Sequence, residues 1–141
     1  SGRSKQGCEV YCIKTFDQPY DLCVRQRISG IKPKSFTRMG AAIRHLGSQL
    51  QLTLAHTKLL ITLSDGRPED CDGYKGQYGI EDTRHALREI QKTDIQAFCI
   101  TIDKEAQEYL PYMYGAANYT VIDEVDKLPQ KVTEIYRRLT T

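Results

Sequence analysis

Apolar runs of strand length alternate with amphipathic helical segments in the second half of this chain, and this alternation constrains the fold most. Three apolar runs have the length of buried strands: residues 58–63, 96–102 and 118–122. Three helical segments follow them in turn: residues 80–93, 104–114 and 128–139. Strands joined through helices run parallel, and strands without polar alternation are covered on both faces. The sequence therefore predicts an α/β fold, a mostly parallel sheet with helices on both faces.

Three further elements are predicted upstream. Residues 38–55 carry one continuous apolar stripe at helical spacing, which indicates a core-facing helix. Residues 9–16 are interpreted as a strand and residues 19–29 as a helix, both from weaker patterns. Cys12 and Cys99 fall inside strand-like runs, so we expect both to be small buried side chains.

Composition excludes several classes of function. The chain has 141 residues, enough for one domain, and its net charge of +2 arises from acids and bases mixed along the whole length. The absence of a basic block argues against nucleic acid as a partner. No apolar run approaches the length of a transmembrane helix, and the five cysteines form no C-x-x-C pair. We therefore expect a soluble, cytoplasmic protein that does not span the membrane.

One connection is much longer than a strand-to-helix turn requires. Residues 64–79 separate the first predicted strand of the alternation from its helix, and such length indicates function. Asp65 follows the strand directly and precedes Gly66, so its carboxylate should lie at the edge where open α/β sheets bind ligands. A turn-forming or helix-capping aspartate is the structural alternative.

Three chemistries use an aspartate in this position. A Rossmann-like phosphatase would use Asp65 as nucleophile, but Arg67 stands where that family has a second acid. A dinucleotide or P-loop site would need glycines at the strand-to-helix turn, and here they come later. A hard cation such as Mg²⁺ would take Asp65 as one of several oxygen ligands.

A hydroxyl before the long helix supports the cation hypothesis. Thr37 lies in a loop that could reach the same rim, although an N-cap of the following helix is an equally good interpretation. Glu69, Asp70 and Asp72 could form a second cation cluster, but a solvated acidic loop is the preferred interpretation. Tyr74 and Tyr78 are candidate contacts for a partner protein, since exposed aromatic side chains are common binding anchors.

At this point the sequence resembles a known family, the von Willebrand factor A (VWA) domains of NorD- and CbbO-type proteins. The resemblance covers most of the chain from about residue 31 and is carried by residues 36–45, 63–68, 74–84, 102–103, 106–111 and 136–140. It implies a Rossmann-like fold and a metal-ion-dependent adhesion site. In that site an Asp-x-Ser-x-Ser loop, a threonine and an aspartate hold one divalent cation, and Thr37 and Asp65 match the last two.

The sequence departs from the family pattern at the first of these elements. No aspartate is followed two residues later by serine, so the Asp-x-Ser-x-Ser loop is absent. The resemblance then implies a single partial VWA domain over residues 1–141, lacking the first strand, first helix and second strand. Such a chain should bind Mg²⁺ weakly or not at all and should expose an unpaired sheet edge. We therefore expect it to self-associate.

The resemblance implies a non-enzymatic, partner-binding function. Its members are accessory proteins that work with a MoxR-class AAA+ ATPase, and the bound cation accepts a carboxylate from a partner. NorD-type members activate nitric oxide reductase through assembly of its metal centre, whereas CbbO-type members reactivate Rubisco; the motifs favour NorD. Arg38, Arg67, Tyr74 and Tyr78 are assigned to partner binding. The alternative of another class is a metal-dependent hydrolase that uses Asp65.

Overall fold

A three-stranded parallel sheet forms the centre of the protein. The computed structural model describes residues 2–4, 7–34, 37–70 and 73–140. Strands β3 (Lys58–Ser64), β4 (Ile95–Thr101) and β5 (Tyr119–Val121) lie in the order β3-β4-β5. Leu60 is paired in register with Ala97, and Cys99 with Tyr119. The predicted parallel α/β sheet is confirmed, with all three strands within two residues of their expected bounds.

Helices cover both faces of the sheet. Helices α2 (Met39–Gln51) and α3 (Gln77–Gln91) pack on one face, against a core that includes Leu60, Ala97 and Cys99. Helix α5 (Leu128–Thr140) packs on the other face, against Phe98 and Ile100. Successive residues of β4 therefore enter opposite cores, which explains why this strand has no polar alternation.

The predicted helix over residues 104–114 is divided in two. A 3-10 turn (Ala106–Glu108) precedes the short helix α4 (Leu110–Tyr114). Pro111 has no N–H and its ring would clash with the carbonyl of Gln107 inside a continuous helix, so it is tolerated only where a helix begins. A second 3-10 turn (Val125–Lys127) leads into α5.

The N-terminal segment contains the helix predicted over residues 19–29 but not the predicted strand. Short antiparallel strands β1 (Gly2–Ser4) and β2 (Gly7–Cys8) pair with each other, and helix α1 (Leu22–Ser29) is capped by the Asp21 side chain. The strand predicted over residues 9–16 is wrong, because nearly all of these side chains are exposed and no apolar face is formed. Cys12 is exposed for the same reason, whereas Cys99 is buried as expected.

Strand β3 lies at the end of the strand order, and no strand among the described residues pairs with its outer edge. Leu63 is 61% exposed, although its register partner Ile100 is 1% exposed. Helix α5 therefore leaves the β3 side of its sheet face partly uncovered. In the described part of the chain no helix is both long enough and apolar enough to cross a membrane.

Candidate functional site

The loop that follows β3 presents a carboxylate at the C-terminal rim of the sheet. Residues 65–76 form this connection, here called the Asp65 loop, and residues 71 and 72 lie outside the described part. The Ser64 hydroxyl donates to the Gly66 carbonyl oxygen over 2.7 Å and accepts from the Gly66 N–H over 3.4 Å. This small turn leaves the Asp65 side chain exposed, and Gly76, not Asp65, occupies the N-cap of α3.

Thr37 is joined to the same loop by the backbone. Its N–H donates to the Glu69 carbonyl oxygen over 2.9 Å, and Thr37 is exposed. The N-cap of α2 is Arg38, which makes no side-chain capping hydrogen bond. Thr37 therefore does not cap the helix, and one of its two interpretations from the sequence is wrong. The structure brings the threonine segment into contact with the Asp65 loop at Glu69.

Arg38 and Asp70 form a buried ion pair beside Thr37. The Arg38 Nε atom lies 2.7 Å from Asp70 Oδ2, and the two side chains are 11% and 0% exposed. Asp70 is thus not part of a solvated acidic loop, while Asp72 lies outside the described residues. A buried charge needs a partner, so this pair has a structural role. Arg38 therefore holds the loop, and its assignment to partner binding stays a prediction.

Tyr74 of the Asp65 loop is also buried, with an exposed fraction of 1%. Its hydroxyl donates to Asp82 Oδ2 over 2.6 Å and accepts from the Gly40 N–H over 3.2 Å. Burial, followed by the hydrogen bond to Asp82, raises the pKa of Tyr74 to about 12. The ring also lies under the Arg38 guanidinium, 4.8 Å from ring centroid to Cζ. Tyr74 therefore does not present its ring to a partner.

Tyr78 and Arg67 remain accessible. Tyr78 is 56% exposed and meets the Tyr74 ring edge-on, with the ring centroids 5.3 Å apart. Arg67 contacts Glu108 in an exposed ion pair and lies 5.3 Å from the centroid of the Tyr109 ring. Both side chains could contact a partner at the rim, and their assignment to partner binding stays a prediction.

Sequence reasoning missed the importance of Gly40 and Asp82. A Cβ atom added at Gly40 would lie 2.0 Å from Asp82 Oδ2, so only glycine leaves room for this carboxylate and its bond to Tyr74. The other Asp82 oxygen accepts from Arg44 over 2.8 Å. A glycine in the first turn of a helix was the one available signal, because glycine disfavours helices unless close packing requires it.

Two side chains predicted to bind a cation, Thr37 and Asp65, carry oxygen atoms. A threonine hydroxyl and an aspartate carboxylate are oxygen ligands of the kind that Mg²⁺ prefers. Within the described ranges, no three histidine, cysteine, aspartate or glutamate side chains are grouped so that they could hold a metal ion. Asp103, which follows β4, is engaged otherwise: its carboxylate accepts from the Glu105 N–H and the Tyr109 hydroxyl. Thr37 and Asp65 carry oxygen atoms of this kind, and their assignment to a cation site stays a prediction.

A small pocket adjoins Asp65 on the α5 side of the sheet. It has a volume of about 250 Å³ and is lined mostly by apolar side chains. Leu63, Ile102 and Val125 line it and are each more than two-fifths exposed. The rim therefore combines a free carboxylate with an apolar surface.

Comparison with known proteins gives matches over nearly the whole chain. Protein NorD of Stutzerimonas stutzeri is 47% identical over 124 residues, and protein NorD of Brucella abortus is 37% identical over 139 residues. An uncharacterized protein of Pseudomonas aeruginosa is 46% identical over 127 residues. No family model and no solved structure matches the chain.

The matched region is a minor part of these relatives. The alignments cover 88% and 99% of this chain for the two NorD proteins but only 20% and 22% of the relatives themselves. The chain thus spans about a fifth of the length of the curated relatives it matches. Identity at this level over such a length supports common ancestry, and the chain is similar to one region of NorD proteins.

Proposed function

We propose that this chain is the partner-binding region of a NorD-type accessory protein and that it is not an enzyme. In the proposed mechanism a divalent cation, held in part by Thr37 and Asp65, accepts a carboxylate from a partner protein. The observation that carries the proposal is the hydrogen bond from the Thr37 N–H to the Glu69 carbonyl oxygen. It holds the Thr37 segment against the Asp65 loop at Glu69, and the side chains of Thr37 and Asp65 are both exposed.

The cation would supply an electrophilic point charge, and the protein would supply its position. Mg²⁺ binds through few protein groups and keeps open positions for other ligands, so a partner carboxylate can complete its shell. The apolar pocket beside Asp65 would bury a neighbouring side chain of the partner and strengthen the contact. A VWA-type fold is part of this proposal and is supported by the parallel sheet with helices on both faces.

The proposed partners are a MoxR-class AAA+ ATPase and a client enzyme. Nitric oxide reductase is the favoured client, activated through its metal assembly in the cytoplasm, because the named relatives are NorD proteins. This similarity favours NorD-type over CbbO-type function. A hydrolase mechanism is less well supported, since Arg67 stands where a second acid would be needed and is bound to Glu108.

Metal binding can be tested with Mn²⁺ as a paramagnetic probe of the isotope-labelled chain. We expect Mn²⁺ to broaden the amide signals of Thr37 and Gly66 together, and Asp65→Asn to weaken the effect at least about tenfold through loss of a charged ligand. Asp94→Asn is the matched control, because this exposed aspartate precedes β4 at the opposite rim. Equal broadening in wild type and Asp65→Asn would refute the cation site.

Partner binding is tested by immobilising the chain and adding the purified ATPase or reductase. Binding should require Mg²⁺, fail in chelator and be lost in Asp65→Asn but not in Asp94→Asn. Binding that persists in chelator and in Asp65→Asn would mean that the partner uses a different surface. Phosphatase activity that depends on Asp65, measured with generic substrates, would favour the hydrolase instead.

Self-association through β3 is a further part of the proposal. The outer edge of β3 has no partner strand among the described residues, and its sequence contains no proline and only one charged residue, Lys58. Such an edge favours pairing with a second copy. Light scattering at micromolar concentration should show dimers or larger species, and Leu63→Lys should shift them towards monomer. Leu54→Lys is the control, since Leu54 is fully exposed outside the strand; a wild-type monomer would contradict the prediction.

A further inference from the structure

Three contacts connect residues 37–40, around the start of α2, to the Asp65 loop. Besides the bond from Thr37 to Glu69, Arg38 pairs with Asp70 and the Gly40 N–H donates to the Tyr74 hydroxyl. We name this set the clasp; its members are Thr37, Arg38 and Gly40 on one side and Glu69, Asp70 and Tyr74 on the other. Its three contacts run in parallel order along the two segments, so together they fix how one lies against the other.

The clasp replaces a local helix cap. The first N–H groups of a helix have no intrahelical acceptor, and a side chain at the N-cap usually supplies one. Arg38 occupies the N-cap of α2 and its side chain makes no capping bond. The acceptor for the Gly40 N–H is instead the Tyr74 hydroxyl, 34 residues later in the chain. The Gly40 N–H at the start of α2 therefore depends on the Asp65 loop for its hydrogen-bond acceptor.

Tyr74 is itself held from three directions. Its hydroxyl donates to Asp82 of α3, its ring lies beneath Arg38, and its carbonyl oxygen accepts from the Asp70 N–H over 2.6 Å. The absence of a side chain at Gly40 provides the space in which Asp82 and the Tyr74 hydroxyl meet. With these contacts made, Tyr74 is held in one position, and the residues that it binds are positioned with it.

We propose that Tyr74 is a positioning residue for the rim, whose buried hydroxyl ties the start of α2 to the Asp65 loop and so fixes the Thr37 hydroxyl relative to the Asp65 carboxylate. This inference rests on the proposed cation site for its functional meaning. Mg²⁺ requires close to ideal ligand geometry, so two ligands from distant segments are useful only if their separation is preset. Tyr74 sets it without touching the cation or the partner.

Amide hydrogen exchange of the labelled chain tests the clasp without any metal. Tyr74→Phe keeps the buried ring and removes only the hydroxyl, so exchange at Gly40 and Thr37 should rise about tenfold, the loss expected for one buried hydrogen bond. Exchange at Cys99 and Ile100 in the central strand should be unchanged. Tyr78→Phe removes a hydroxyl from an exposed tyrosine of α3, adjacent to the same loop. It should leave amide exchange unchanged both at Gly40 and Thr37 and in the central strand.

Two results would overturn the inference. Unchanged exchange at Thr37 in Tyr74→Phe would show that the segment is held without the hydroxyl. An equal rise at Thr37 and Cys99 would show that the variant lowers only the global stability. Should Tyr74→Phe fold poorly, Asp70→Asn provides a second variant within the clasp, and it should accelerate exchange at Thr37 while leaving Cys99 unchanged.

The functional part is tested separately with Mn²⁺. Tyr74→Phe should weaken the Mn²⁺-dependent broadening at Thr37 and Gly66 about three- to tenfold, as expected when ligands lose their preset geometry. Unaltered broadening would refute the positioning role. If Asp65→Asn has no effect on the broadening, the cation site itself fails, while the exchange experiment still decides whether the clasp exists.

Discussion

The two ends of the Asp65 loop are held in opposite ways. Residues 65–67 lie at the surface, where Arg67 is attached by an exposed ion pair to Glu108. Further along, Pro68, Asp70 and Tyr74 are buried. Asp70 accepts a hydrogen bond from Arg38 at the start of α2, and the Tyr74 hydroxyl bonds to Gly40 of α2 and Asp82 of α3. Polar residues of one loop thus divide into those available to a ligand and those that shape the loop, and burial distinguishes the two groups.

Alanine substitutions of glycines near the two ends of the loop should differ most in their effect on the free energy of unfolding. A Cβ atom at Gly79 would lie 2.3 Å from the Pro68 carbonyl oxygen, whereas at Gly66 it would meet nothing within 4 Å. Gly79→Ala should therefore lower the free energy of unfolding by about 3 kcal/mol, because backbone must move on one side or the other. Gly66→Ala should change it by less than about 0.5 kcal/mol. Urea unfolding measures both, and equal effects would mean that the loop is equally loose throughout.

Alkaline pH provides a sharper probe of the buried end. The pKa of Tyr74 is about 12 in the folded protein, above the ordinary value of 10. Below pH 10 the hydroxyl is protonated in both states and its stabilisation is fully present. As the pH rises from 10 towards 12 the unfolded chain loses this proton first, so the stability falls.

The comparison with Tyr74→Phe isolates this contribution. The difference in unfolding free energy between wild type and variant should decrease by about 1 kcal/mol from pH 9 to pH 11. Tyr78→Phe, which removes a hydroxyl at an exposed position, is measured alongside as the control. A difference that stays constant with pH would show that the Tyr74 hydroxyl ionises at its ordinary pKa.

A substitution at the exposed end of the loop should change the free energy of unfolding least. Arg67→Ala removes a surface ion pair and should cost about 0.5 kcal/mol or less, because exposed ion pairs are weak and screened by salt. The cost should shrink further at high ionic strength. Urea unfolding at low and high salt measures it. A loss comparable to that of Gly79→Ala would mean that the beginning of the loop is structural as well.

Much of the fold followed from periodicity. Strands β3 and β4 and helices α2, α3 and α5 were predicted because each buries an apolar face whose spacing is visible in the sequence. The failures have physical causes. Pro111 divides the helix predicted over residues 104–114, and residues 9–16 were interpreted as a strand although they have no core to pack against.

The candidate site was predictable in part. The positions of Asp65 at the end of a parallel strand and of Thr37 in the loop before a helix are confirmed, because both places are recognisable from the sequence. Their role as ligands stays a prediction. The roles of Arg38, Asp70 and Tyr74 were not, since a charged or hydroxyl side chain in a loop carries no sign of whether another segment covers it. Arg38 and Asp70 are 32 residues apart in the chain and meet only in the folded protein.

The sequence by itself determined the parallel α/β architecture, because helical and strand periods are local properties. Only the tertiary structure decided which polar residues of the Asp65 loop face solvent and which are buried. That choice depends on contacts between segments far apart in the chain, such as the Tyr74 hydroxyl between Gly40 and Asp82. Burial makes an unpaired polar group costly, so each of these buried groups needs a partner that only the folded chain supplies.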